Sequence, residues 1–485
     1  MIFRIVLFIA VFTNGGLSQS FEQKLYPADP RQGSYFGRFV AQNDKFLAIS
    51  AYKDSEKASS SGAIYIFQYV NDYCIQSQKI FPDDGTVEQF FGYSLGLSDD
   101  WLIAGAHHDS SKGASSGAAY IMRKNSNDNW VIVQKLVPDD LSEGDEFGKK
   151  VDISGNFVVS GSYLNDEGGI NSGVVYIFKL VNNVWTELTK LYPSTQLEYS
   201  QFGLSLDLDK DKLIVGAPFE GKKEHGAAYV FEYTDGKWTE TAKLVVDDLN
   251  DFDQFGTTVK IKNKLAYVSS TKKDFLGENS GAVYVFKKDF YGWKFYQKLL
   301  APDGQEGDNF GIDIEPGDSI LAIGAYFDDD NGQNSGSVYL YKYYDEKWVF
   351  DKKLTPDDGE ESDAFGSSIS VFKNKLVVGA YSDSDKGFLS GSAYVFSLNN
   401  MLNNDNLHIE KSIKVYPNIV KENITIENKI KHLTIYIYNT RGRIVKTQKL
   451  PIGKIKIDFF KYKRGLYLLK AVYNGIVYTF RLVKV

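Results

Sequence analysis

Between residues 21 and 396 the chain is built of short apolar runs broken by turn residues, and no stretch shows an amphipathic helical period of ten or more residues. The runs are rich in Val, Ile, Tyr and Phe, and Gly, Asp, Asn and Ser separate them. In Val283-Tyr284-Val285-Phe286 the Tyr and Phe fall on one face of an extended strand. The pattern predicts an all-β chain of strands and tight turns.

Self-comparison gives the architecture. Phe-Gly recurs at Phe36-Gly37, Phe91-Gly92, Phe147-Gly148, Phe202-Gly203, Phe255-Gly256, Phe310-Gly311 and Phe365-Gly366, at spacings of 53 to 56 residues. A small-residue pair such as Gly216-Ala217 follows each one, then a Gly that opens a strand, as in SGAVYVF. An aromatic five residues before a Lys comes next, as in Trp130 and Lys135. Each repeat holds four strands, so seven repeats predict a seven-bladed β-propeller over residues 21–396. The seventh repeat stops at Phe396 without its Trp–Lys strand, and residues 21–26 are an orphan copy of that strand. Pairing the two is predicted to close the ring and remove an open edge. In the first repeat Cys74 stands in the Trp slot before Lys79, so it reads as a packing residue.

Composition adds a second region. The chain has 485 residues with 43% apolar and 24% charged, enough for a sizeable core and incompatible with wholesale disorder. A single Cys excludes a disulfide framework. The net charge of −7 hides +14 over residues 411–485 and −21 over the rest. Residues 397–412 are Asn-rich and read as a linker. Residues 413–485 alternate in Leu433 to Tyr438 and Ile476 to Val483, with an Asn474-Gly475 hairpin signal, and predict a small β-sandwich of six or seven strands. Residues 1–20 have a basic start at Arg4, an apolar run from Ile5 to Phe12 and small residues after it, the layout of a secretory signal peptide. That run is too short to span a bilayer and no later one is long enough, so the mature chain is expected to have no transmembrane segment.

Two resemblances follow from these residues. The seven repeats resemble the FG-GAP family, also found in the integrin α-subunit head, with Leu213 to Pro218 (LIVGAP) the closest single copy. Its calcium loops have no counterpart here, because turns such as Asn263-Lys264 are too short to wrap a hard cation. Residues 413–485 resemble the C-terminal sorting domain of the type IX secretion system of Bacteroidetes. The matching pieces are Val415-Tyr416-Pro417-Asn418, Tyr438-Asn439 with Gly442-Arg443, Gly465-Leu466-Tyr467, and the final strand from Phe480 to Val485. That resemblance implies the type IX secretion machinery as a partner through residues 413–485. It also implies a cell-surface or extracellular destination, with the tail removed in the 397–412 linker.

The chemistry-bearing loops gather at one end. With strands A to D running from hub to rim, the D–A connections and the B–C loops share a face, and they hold 36 Asp or Glu against 9 Lys or Arg. That field disfavours nucleic acid and attracts cations or basic partners. The same Asp residues also form and cap turns. Asp328, Asp329, Asp330 and Asn331 are the densest cluster. Asp328, Asp330 and Asn331 are the candidate metal ligands, and calcium is the cofactor they could take. The five His are His107, His108, His225, His408 and His432, and no zinc, nucleophile-elbow or P-loop motif accompanies them. In an extended segment His107 and His108 would point apart, so they read as exposed loop residues. No catalytic or cofactor-binding residue is identified. The reading favoured is an exported, non-catalytic binding or adhesion protein that takes a protein or polysaccharide through the acidic face. The alternatives are a secreted polysaccharide-active hydrolase or lyase on a propeller scaffold, and a structural part of a larger surface assembly.

Overall fold

The computed structural model describes residues 21–71, 73–398, 413–429, 433–439, 443–473 and 476–485. The expected signal peptide (1–20), nearly all of the expected linker (397–412), His408, His432, and the turns at 440–442 and 474–475 lie outside them.

Seven four-stranded antiparallel sheets form the blades. In the first blade the strands A to D are Phe36–Gln42, Phe46–Ala51, Ala63–Val70 and Tyr73–Ile80. The next five blades repeat this order within residues 95–354. The seventh takes Phe365–Phe372, Lys375–Ala380 and Ser392–Ser397 as A to C, and its D strand is Phe21–Leu25 from the other end of the sequence. Lys24 lies opposite Tyr394 and Leu25 opposite Ala393, so the expected ring closure is present.

Burial follows strand position. The B strands have neighbouring blades on both sides and are buried along most of their length, which is why they read as unbroken apolar runs. The D strands sit at the rim, and those of the third and fourth blades are exposed or half-buried between a buried Trp and a buried Leu. Cys74 is 3% exposed and occupies the place held by Trp130 and Trp185 in the next blades. Gln23 bonds both the N–H and the C=O of Cys74, just as Gln78 does for Trp130 and Gln134 for Trp185. Cys74 is therefore a packing residue with the rim contacts of the Trp it replaces.

The blades meet through main chain. The Phe of every Phe-Gly pair is fully buried, and its ring meets the C-strand Tyr of its own blade edge to face, with centroids 5.2 to 5.7 Å apart. Its N–H donates to the carbonyl of the residue before the C-strand Gly of the preceding blade, as from Phe91 to Ser61 at 2.9 Å and from Phe36 to Ser390 at 3.1 Å. That Gly has positive φ in every blade, and a Cβ on it would lie 1.9 to 2.2 Å from the Phe carbonyl oxygen. Only glycine fits there.

Among the described residues the tail holds eight strands, one more than the upper expectation. One sheet contains Ile413–Tyr416, Asn423–Asn428 and Gly453–Asp458. The other contains Ile419–Val420, Ile476–Lys484, Gly465–Tyr473, Leu433–Asn439 and Ile444–Leu450. Both sheets contribute to one core that includes Ile424, Ile426, Ile435, Ile437, Ile457 and Leu469. The extra strand is the two-residue Ile419–Val420, which pairs parallel to the last strand and is too short to show a period in sequence.

The closure seam can be tested with two glycines of similar φ. Gly391 (φ +80) sits against Phe36 O, whereas Gly221 (φ +90) has open space around it. Gly221→Ala should cost about 1 kcal/mol for backbone conformation alone. Gly391→Ala should cost about 2–3 kcal/mol more, because the seam must open. Denaturant midpoints of the two variants measure this, and equal losses would show that the close approach is not limiting.

Candidate functional site

The acidic loops are organised by one polar cluster repeated around the ring. In five blades the C-strand Tyr donates its hydroxyl to an Asp of the incoming D–A loop, and in several it also meets an acid of the B–C loop; in the fourth blade Tyr229 bonds Glu220 of the B–C loop instead. A Lys from strand D joins them. In the first blade Tyr65 Oη donates to Asp29 (3.0 Å) and Asp54 (3.2 Å), and Lys79 Nζ reaches Asp29 (2.8 Å), Asp54 (3.0 Å) and Glu56 (2.7 Å). In the second, Tyr120 meets Asp84 and Asp109, and Lys135 bridges the same two acids at 2.6 and 2.8 Å. In the seventh, the closing strand supplies Lys24, which reaches Asp358, Asp383 and Asp385 at 2.7 to 2.8 Å. Burial disfavours the Lys24 ammonium, but the surrounding Tyr394 and carboxylate oxygens more than offset this and hold its pKa above the usual value. The tyrosines are pushed up by burial and by the adjoining carboxylates, so they remain neutral donors.

The Asp328 cluster belongs to this pattern. Asp328 is buried and accepts from Tyr339 Oη (2.9 Å) and Ser337 Oγ (2.8 Å). Lys353 Nζ lies 2.7 Å from Asp328, 2.6 Å from Asp330 and 3.1 Å from Asp303. Asn331 turns away and donates to Pro356 O at 2.7 Å. The centre of the candidate calcium cluster is thus occupied by an ammonium group of the chain itself.

A different constellation rims the central channel on the same face. The residue after the small pair is aromatic or His in five blades, Tyr52, His107, Tyr163, Tyr326 and Tyr381, and four of these contact the channel-lining Arg38, Tyr93 or Lys149. Tyr93 packs 5.3 Å from Tyr52 and 4.2 Å from His107, ring centre to ring centre. Tyr35 lies 5.7 Å from both Tyr52 and Tyr381. Three cations are set over these rings. Arg38 lies 5.0 Å from Tyr381, Lys53 4.8 Å from Tyr35, and Lys149 4.6 Å from Tyr93. Most of these side chains are half-buried, and burial pushes the Tyr52 and Tyr326 hydroxyls up to about 12. Arg38, Tyr93 and Lys149 also line the channel cavity, whose volume is about 390 Å³. Self-comparison of the repeats misses this collar, because it highlights what recurs and these residues change from blade to blade.

His107 and His108 depart from expectation. They lie in the turn after strand Trp101–Ala106, so they do not diverge as strand neighbours would. Their ring centres are 4.4 Å apart, and His107 is 2% exposed. Glu146, from the next D–A loop, completes a trio with them. Its Oε2 accepts from Tyr163 Oη at 3.0 Å and from Lys149 at 3.2 Å. Burial opposes the Glu146 charge, yet His108, Lys149, His107 and Tyr163 hold it down to about 2. Burial and then the Lys149 charge keep His107 well below its usual value. His225 stands apart, 3.1 Å from Asp251 in an exposed loop.

Deeper in the channel are Asp152, Asp207, Asp313 and Glu315 with Lys260. Burial and the neighbouring Asp207 raise Asp152. Each Asp nevertheless holds the next blade in place: Asp152 accepts from Leu208 N, Asp207 from Ile261 N and Asp313 from Ile369 N at 2.7 to 2.8 Å. Lys260 links Glu315 (2.8 Å) to Asp207 (3.3 Å). No helix among the described residues is long and apolar enough to cross a membrane.

Comparison with known proteins agrees with both resemblances. The FG-GAP repeat model matches residues 20–67, 75–122, 130–178, 185–231, 238–286, 293–341 and 348–396. Six of the matched copies begin in the D strand of one blade, the first begins one residue before it, and all end in the C strand of the next blade, so the sequence repeat runs one strand ahead of the blade. The secretion system C-terminal sorting domain model matches residues 414–485. No curated protein matches the chain. One similar solved structure is a Bacteroides fragilis NCTC 9343 protein provisionally titled a 6-phosphogluconolactonase. It is 14% identical, with 67% of this chain and 85% of that one covered and a TM-score of 0.44, too slight a likeness to carry an argument.

The Asp328 cluster yields a direct test. Calcium would have to displace Lys353, so millimolar calcium should leave thermal unfolding of the chain unchanged. Lys353→Met should lower the midpoint by several degrees, because it strands Asp328 as a buried charge. A calcium-dependent rise that a chelator reverses would show that the cation does replace the lysine.

Proposed function

This chain belongs to the FG-GAP repeat family and carries a secretion-system C-terminal sorting domain, and from that premise we propose that it is a non-catalytic binding protein acting at the mouth of its propeller channel. Its sorting domain makes it an exported β-propeller protein of the cell surface or extracellular space and engages the type IX secretion machinery. Beyond this, the chain divides at residues 397–412, where the tail is removed once its task is done.

The observation that carries the binding reading is the collar of Tyr35, Tyr52, Tyr93 and Tyr381 with Arg38 and Lys149. The blades do not need it, since blades four and five have Pro218 and Thr271 at the Tyr52 position. Rings with flat faces and polar edges suit the apolar faces and hydroxyl rims of sugar rings. The cations suit sugars that carry carboxylates. We therefore expect an acidic polysaccharide as ligand. One strand-D lysine per blade meets acids of the loops, and the exposed acids leave the surrounding face negative, so an acidic chain would be taken locally by Arg38, Lys53 and Lys149 at the mouth. The hydrolase reading would draw on the channel carboxylates, but Asp152, Asp207 and Asp313 are each engaged in holding a neighbouring strand.

Binding of the full chain to immobilised uronic-acid polysaccharides tests the proposal. Tyr52→Ala combined with Arg38→Ala should weaken binding at least about tenfold, the loss expected for one ring and one cation contact. The polysaccharide should keep its length after prolonged incubation. Unchanged binding by the double variant, or steady release of shorter chains, would overturn it.

A further inference from the structure

The seven blades serve as an internal control on what the scaffold requires. At the position of His107 the other blades carry Tyr52, Tyr163, Pro218, Thr271, Tyr326 and Tyr381. At the position of Glu146 they carry Tyr35, Phe90, Gln201, Gln254, Asn309 and Ala364. The backbone there is left-handed in every case, from Tyr35 (φ 56) through Glu146 (φ 50) to Ala364 (φ 58), so the fold demands a conformation and not a side chain. Among the described residues only the seam between the second and third blades brings two imidazoles and a carboxylate together.

The geometry points to a binding site for a divalent transition-metal ion, of the zinc type, formed by His107, His108 and Glu146. One ligand atom from each residue lies within 4.8 Å of the others. His107 Nε2 is 3.9 Å and His108 Nε2 3.7 Å from the Glu146 carboxylate oxygens. These gaps exceed a hydrogen bond and approach the edge of about 3.4 Å set by tetrahedral bonds of about 2.1 Å. His107 is 2% exposed and its Nδ1 has no hydrogen-bond partner, an unusual state for a buried imidazole. The carboxylate of the trio is held in place, whereas His107 Nδ1 lacks the acceptor that usually orients a metal-bound imidazole and the Lys149 ammonium lies beside the site. Glu146 Oε2 is held by Tyr163 and Lys149, and Oε1 is left facing His108. Phe90 packs against both His rings at 5.6 and 4.7 Å. Two nitrogens and one oxygen suit zinc-type ions over calcium or magnesium, which prefer oxygen alone. Three protein ligands leave a coordination position open to the channel mouth. This site is independent of the polysaccharide reading and is tested without any sugar.

The full chain, stripped with a chelator, is titrated with zinc chloride by calorimetry at neutral pH. One equivalent should bind with micromolar or tighter affinity, and calcium chloride should not compete. His107→Tyr restores the residue four other blades use at that position and should fold normally. His108→Ala changes a half-exposed side chain. Each should weaken zinc binding at least tenfold while the midpoint of unfolding without zinc stays near that of the unaltered chain. Absence of saturable zinc binding, or undiminished affinity in both variants, would overturn the proposal.

Discussion

The structure depends on one contact made seven times: a C-strand glycine of one blade pressed against the main chain of the next blade's Phe. Each Phe N–H donates across the seam, and each Phe carbonyl fills the space a Cβ would need. Two constraints follow. The glycine must take positive φ, and the residue before Phe must be left-handed whatever its type. The same contact closes the ring between Gly391 and Phe36, so the first and last blades of the propeller are joined by it as well as by strand Phe21–Leu25. Because neighbouring sheets are pinned at the loop end of the channel, the side chains beside the pin reach the mouth together. The collar is a consequence of the seam.

Charge is distributed by a second repeated device. The loop face holds 36 acidic residues against 9 basic ones, yet its buried acids are not free. Lys79, Lys135, Lys353 and Lys24 rise from the D strands into the gaps between loops and meet them. Buried ion pairs of this kind add little net stability over an apolar packing, because both charges lose water. What they do is fix loop position, since removing either partner leaves the other buried alone. Blade five shows how tolerant the device is: Lys273 takes the place of the B–C acid and is answered by Asp253 at 2.7 Å. A cluster that accepts such an exchange acts as a structural plug between loops.

The fold was legible in the sequence because its constraints recur. Seven Phe-Gly pairs, the glycine before each C strand and the orphan strand at 21–26 identify the blade count and the closure, and the structure has both. The Trp-slot reading of Cys74 also holds, for the same reason. The tail's alternating strands announce its two sheets, apart from the two-residue strand Ile419–Val420. The site was legible only in part. Loop charge was counted within the loops, and the lysines that answer it lie in strands. The regular Trp–Lys spacing was visible, but its electrostatic meaning needs the third dimension. His107 and His108 read as exposed loop residues that point apart if extended, and the turn after Ala106 instead brings their rings together and buries His107.

These failures share a cause. Repetition reports what every blade must satisfy, and function in a repeat scaffold needs what one blade has and the others lack. Tyr52 and Thr271 occupy the same scaffold position, and so do Glu146 and Ala364. Averaging over copies erases such differences, whereas a structure places them side by side around a single opening. The informative comparison is therefore position by position across blades. Where all seven agree, as at the seam glycines, the residue answers to packing. Where they disagree at a site the backbone holds rigid, the side chain is released from folding, and chemistry can select it. The channel mouth is such a place, and there the rings, the cations and the His107–His108–Glu146 trio converge.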